Sequence, residues 1–154
     1  MNAEPLLLAI ARAMSRCRLD AVLIGNAAAA LQGSPVTTMD FDFMFRKTST
    51  NMTKLKRVAD DLGAIVLRPY YPASQLYRMT RDRDGLQIDF MARIHGVRSF
   101  EALRNRSTEV SFGDSALRVA SLADIIRSKE RAGREQDLAV LPILRRTLSE
   151  KESQ

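Results

Sequence analysis

The stretch that most constrains this chain runs from Ala21 to Arg46. It reads as an apolar run Ala21 to Ile24, then Gly25-Asn26, a short alanine-rich segment to Leu31, a turn cluster from Gly33 to Thr38, and Asp40-Phe41-Asp42-Phe43. Successive side chains of a β-strand point to opposite faces. A strand over Asp40 to Arg46 therefore puts Phe41, Phe43 and Phe45 on one face and Asp40, Asp42, Met44 and Arg46 on the other. Burying three phenylalanines forces both carboxylates toward a cleft or solvent, which makes Asp40 and Asp42 a candidate metal clamp.

A second strand carries a matching acid. From Leu86 to Arg93, Leu86, Ile88 and Phe90 alternate with Gln87, Asp89, Met91 and Arg93. If this strand neighbours the first in one sheet, Asp89 projects from the same side as Asp42. Three carboxylates close together repel one another unless one stays protonated or a cation lies among them. Mg²⁺ prefers oxygen ligands and is commonly held by one or two carboxylates plus substrate phosphates.

The remaining periodicities frame these strands. Helical spacing is predicted for Pro5 to Arg18, Ala27 to Leu31, Thr53 to Leu62, Ser99 to Asn105, Ser121 to Arg131 and Glu135 to Leu148, the last with Leu138, Leu141 and Leu144 on one face and a kink at Pro142. Short strands are predicted at Ala64 to Leu67, Leu76 to Thr80, Glu109 to Phe112 and Leu117 to Ala120. Asp84-Gly85 signals a hairpin between Leu76 to Thr80 and Leu86 to Arg93. Arg68-Pro69-Tyr70-Tyr71-Pro72 is predicted to be a loop. Helices and strands mixed in this order predict an α/β (α+β) fold, a mixed sheet flanked by helices, as one domain over residues 1–150 with a polar tail at 151–154.

Composition narrows the setting. The single cysteine, Cys17, excludes an intramolecular disulfide and a cysteine zinc cluster, and reads as a core residue in a reducing compartment. Glu4 precedes the apolar Leu6 to Ile10 and arginines follow it, the reverse of a secretory signal, and no apolar run reaches the ~20 residues of a membrane span. A cytoplasmic protein without a membrane partner is expected. The net charge of +6, with 19 arginines among 24 basic residues, favours phosphate-bearing partners, nucleotide or RNA.

A strand ending in glycine and a small polar residue, a short helix, and then Asp-x-Asp about a dozen residues on, with a third acid on a later strand, resembles the DNA polymerase β-type nucleotidyltransferases. The likeness runs from about Leu19 to Leu148, and is nearest to small bacterial single-domain members related to the nucleotidyltransferase toxins of abortive-infection systems. The segment Gly33 to Asp42 is similar to their glycine, threonine and paired-aspartate spacing. Ser121 to Leu144, with Lys129, Arg134 and Asp137, resembles their C-terminal helix pair.

This resemblance implies a transfer of a nucleoside monophosphate from an NTP to a hydroxyl of an RNA end, a protein or a small molecule. It implies two Mg²⁺ ions on Asp40, Asp42 and Asp89, with Asp89 helping to draw the hydroxyl proton. Gly25 and Asn26 would meet the triphosphate at the start of the short helix. Thr38, Lys129 and Arg134 would be further nucleotide contacts. A cognate protein partner is also implied by the toxin-antitoxin likeness. Asn26 stands where the family usually has Gly or Ser, and Val36 where near members carry a basic residue. Those departures leave open a degenerate member that binds nucleotide or a partner without turnover. Tyr70, Tyr71 and Tyr77 are candidates for stacking on a base, while His95 and Thr37 read as loop and turn residues.

Overall fold

The computed structural model describes residues 3–67 and 76–154. Helix α1 (Glu4–Cys17) turns Leu7, Ile10, Ala11 and Met14 inward. Strand β1 (Ala21–Ile24) is buried along its whole length and leads through α2 (Gly25–Leu31) to β2 (Asp40–Phe45). Helix α3 (Ser49–Leu62) follows, then β3 (Ile65–Leu67), and the hairpin of β4 (Leu76–Arg81) and β5 (Leu86–Met91). The chain closes with α4 (Phe100–Arg106), β6 (Thr108–Phe112), β7 (Ser115–Val119), α5 (Leu122–Ala132) and α6 (Glu135–Glu152).

The seven strands form one mixed sheet in the order β3-β4-β5-β2-β1-β7-β6. β1 runs antiparallel to β2, while β2 and β5 are parallel with Asp42 opposite Asp89 and Phe43 opposite Phe90. Aromatic packing holds that register. Phe43 stacks on Phe90 at 5.3 Å between ring centroids, and Phe45 meets Phe90 edge-on at 5.8 Å. A slip of one residue would turn Phe43 and Phe45 to the other face and bring Asp42 into the core. Each buried phenylalanine contributes roughly 1.5–3 kcal/mol against that slip. On one side α1 and α3 pack together; elsewhere α2 packs on β1, β2 and α5, and α5 packs on α6.

Capping explains where the helices differ from their periodicity. Helix α3 begins before Thr53 because the Thr48 hydroxyl accepts from the Asn51 N–H at 3.0 Å. Helix α6 continues to Glu152, through the first half of the expected tail. Its buried stripe is Asp137, Leu141, Leu144 and Thr147, and Leu138 is 52% exposed instead of buried. Leu138, Leu141 and Leu144 step by three and drift around the helix, whereas Asp137, Leu141 and Leu144 keep the i, i+4, i+7 spacing of one face, so Asp137, paired with Arg134 and Lys129, takes the inward position. The predicted loop at residues 68–72 lies outside the described residues. Cys17 is partly buried at the edge of the core. Among the described residues no helix is long and apolar enough to cross a membrane.

Candidate active site

Where β1 ends and β2 begins, the sheet opens into a cleft of about 750 Å³. Asp40, Asp42 and Asp89 all line it, as do Gly25, Asn26, Thr38, Lys129 and Arg134. Ile24, Asp42, Asp89 and Arg78 are partners on one rung across β1, β2, β5 and β4. Strands lie about 4.8 Å apart. The two aspartates are therefore backbone neighbours whose side chains share one face.

Gly25 closes the cleft tightly against β2. Its φ is +69°, and a Cβ there would sit 3.1 Å from Asp42 Oδ2. Only glycine enters this left-handed conformation without cost and lets the backbone come so near the carboxylate. Gly25→Ala is expected to destabilise the fold by about 1–2 kcal/mol through the positive φ alone, with Asp42 also displaced; urea denaturation of the two proteins checks it. Beside it, Asn26 Oδ1 is buried and, among the described residues, has no hydrogen-bond partner. A buried polar atom without a partner costs about 1–3 kcal/mol. Turning the amide half a turn presents its N–H groups at the same place, as donors for an anionic ligand.

The electrostatics are those of crowded carboxylates. Burial raises the Asp42 carboxyl from 3.8 to about 6, with repulsion from Asp89 and then Asp40 adding to it, while Lys129 and Arg134 pull it back. Lys129 is itself pushed below its ordinary value by burial, against the attraction of Asp137. Asp137 is 2% exposed; burial would raise its carboxyl, but the hydrogen bond and charge of Arg134, with Lys129, hold it below the usual range. Arg134 donates through Nε to Asp137 Oδ2 at 2.7 Å, and Lys129 Nζ stands 3.6 Å from Oδ1. A left-handed Gly133 at the α5 terminus and Arg134 at the N-cap of α6 bring these three together.

Two further pairings hold the walls. Asp124, 1% exposed, accepts from Arg106 and Arg127 and caps α5 with Ser121, which fixes the helix that carries Lys129. Thr38 accepts from the Asp40 N–H at 3.0 Å and so sets the first residue of β2.

The rings proposed for base stacking fare differently. Tyr77 is 5% exposed and packs edge-on to Phe45 on the sheet face away from the aspartates; Tyr70 and Tyr71 lie outside the described residues. His95, read as a loop residue, stands in a loop that lines the cleft. Sequence reasoning missed Arg78, which pairs with Asp89 through Nε to Oδ1 at 2.8 Å and Nη2 to Oδ2 at 3.1 Å. Its signal was the hairpin: counting outward from the turn before Leu86, Arg81 meets Leu86 and Arg78 meets Asp89.

Over residues 4–154 the chain matches the model of a family described as nucleotidyl transferase of unknown function (DUF2204). A comparison with curated proteins gave no match. Among solved structures the chain is similar to TM1012 from Thermotoga maritima, described as a candidate nucleotidyltransferase, at 19% identity and TM-score 0.65 over 95% of this chain and 92% of that one. It is also similar to ANT(2'')-Ia in complex with adenylyl-2''-tobramycin, at 15% identity and TM-score 0.65 over 98% of this chain and 92% of that one. The lincosamide antibiotic adenylyltransferase LnuA, lincomycin-bound, aligns at 12% identity and TM-score 0.63 over 94% of this chain and 96% of that one. These structural likenesses establish the nucleotidyltransferase-like fold, with its mixed sheet and C-terminal helix pair.

Proposed function

The chain belongs to the nucleotidyl transferase family just described, and we propose that it moves a nucleoside monophosphate from an NTP to a hydroxyl of a small-molecule acceptor, aided by Mg²⁺. The observation that carries this reading is the convergence of Asp40, Asp42, Asp89, Gly25, Asn26, Lys129 and Arg134 on one cleft. The cleft's volume is of the size that small ligands occupy. Acceptors of that size are in keeping with the adenylyl-2''-tobramycin of the ANT(2'')-Ia structure and the lincomycin of the LnuA structure.

Hard oxygen donors on Asp40 and Asp42 fit a divalent cation. The upward shift of Asp42 reports a buried negative charge that Lys129 and Arg134 do not neutralise. Bound there, Mg²⁺ would supply positive charge for the phosphates and the developing transition state. The chain's own residues would do the rest. Lys129 and Arg134 would face the outer phosphates across the cleft from Asp42. Gly25 would let the backbone approach the triphosphate, and the Asn26 amide would donate to a phosphate oxygen. The acceptor oxygen would bond to the α-phosphorus as the bond to the β-phosphate oxygen breaks, with pyrophosphate leaving and the hydroxyl proton passing to a carboxylate of the cleft.

The test is incubation of the purified protein with a cell extract and each of four α-labelled NTPs, followed by separation of small molecules, RNA and protein. Label in the small-molecule fraction that requires Mg²⁺ and disappears in Asp42→Asn is the expected result. Label in RNA or protein would keep the transferase and replace the acceptor. Nucleotide-dependent thermal stabilisation with no pyrophosphate release in any extract would favour the binding-only alternative, for which Asn26 and Val36 are the motive.

A further inference from the structure

Asp89 lies on the same rung as Asp42, yet its carboxylate is already engaged. The β4–β5 register puts Arg78 opposite Asp89, and the guanidinium fork meets both oxygens, Nε to Oδ1 at 2.8 Å and Nη2 to Oδ2 at 3.1 Å. Such paired, charge-assisted bonds are among the stronger side-chain contacts and fix the guanidinium plane. The burial is unequal. The Asp89 side chain is 11% exposed and that of Arg78 42%, so the carboxylate is the anchor and the guanidinium is the group offered to the cleft that it lines.

We infer that Asp89 is a positioning residue that holds Arg78 as a fixed cation of the cleft, and that metal binding by the free protein rests on Asp40 and Asp42 alone. This rests on the nucleotidyltransferase reading and narrows it. A metal ion at Asp89 would have to break two short bonds in a partly buried place and sit beside a guanidinium of like charge. Arg78 carries its charge at any working pH, as guanidinium groups in proteins do. Among the described residues no group of three or more His, Cys, Asp or Glu stands arranged to hold an ion. The rung therefore runs Asp42, Asp89, Arg78, with the guanidinium on the far side of Asp89 from Asp42, at backbone spacings of about 4.8 Å. A guanidinium in that place has donors left for an anionic oxygen of the substrate, since Nη1 makes no bond to Asp89.

Mn²⁺ binding without nucleotide, followed by electron paramagnetic resonance and by thermal shift, tests the assignment on the full chain. Asp89→Asn is expected to change the Mn²⁺ affinity by less than about threefold, whereas Asp42→Asn weakens it at least about tenfold, and Arg78→Gln gains a second or tighter Mn²⁺ because Asp89 is released. If Arg78→Gln does not fold, Arg78→Met, which keeps the apolar stem and loses both the charge and the fork, is compared with the wild type in the same way and is also expected to gain affinity. Equal loss in Asp89→Asn and Asp42→Asn, or no gain in either Arg78 variant, overturns the inference. A wild type that binds no Mn²⁺ counts against the proposed metal at Asp40 and Asp42 and overturns the inference as well. A wild type that binds Mn²⁺ and shows the expected variant pattern, but transfers no nucleotide, upholds the inference while the transferase reading fails.

Discussion

Asp42→Asn is expected to lower nucleotidyl transfer by about 10²- to 10³-fold, the scale of removing one preorganised charge-stabilising group, and at the same time to make the metal-free protein more stable at neutral pH. The two effects share a cause. Burial, Asp89 and Asp40 raise the Asp42 carboxyl to about 6 from its ordinary 3.8. Between those values the folded state keeps a proton that the unfolded chain has lost, so stability falls as the pH rises from about 4 and the cost is complete above about 6. Asparagine has no charge to bury. Thermal denaturation without metal should show a gain on the order of 2 kcal/mol near pH 7 that vanishes below about pH 4. Added Mg²⁺ should narrow the gain, because an ion that binds only the folded wild type stabilises it by mass action. A variant less stable than the wild type at both pH values would refute the account of Asp42 as a strained, buried charge.

Asp137→Ala is expected to destabilise the fold by about 3–5 kcal/mol, the usual cost of leaving a buried charge without its partner. Asp137 is 2% exposed and binds both Arg134 and Lys129, and the Lys129 side chain is only 13% exposed. Removing the carboxylate leaves the ammonium buried among like charge, since Arg134 already disfavours its charged form. The acid limb separates this from a general loss of packing. The Asp137 carboxyl is depressed in the folded state. Its contribution is complete above the usual carboxylate range and is lost as the pH falls through the folded value. Urea denaturation at several pH values should therefore show the variant furthest below the wild type near neutrality and the two converging in strong acid.

Much of the site was legible because its parts are local. Asp40, Asp42 and the three phenylalanines share a strand, and period two separates them onto opposite faces whatever the rest of the chain does. The Ser121 cap, with Asp124 three residues on, could be read in the same way, and so could Gly133 as the stop before Arg134. Asn26 stands out in the sequence only as a departure from Gly or Ser; that its Oδ1 is buried without a partner among the described residues depends on how α2 packs against β2 and α5. Leu138 was misplaced because a helical stripe counted in leucines takes no account of a buried ion pair pulling Asp137 inward.

By itself, the sequence determined the strands, their apolar faces and the acids opposite them, because those follow from alternation over four to six residues. Tertiary structure alone decided the partners. The parallel pairing of β2 with β5 turned Asp42 and Asp89 into neighbours, and the hairpin register placed Arg78 against Asp89. Chain separation carries no such information: Asp42 and Lys129 come within electrostatic reach only after the sheet closes and α5 docks on α2. The charge state of a carboxylate is set by what surrounds it in space, and so the chemistry of the cleft belongs to the fold.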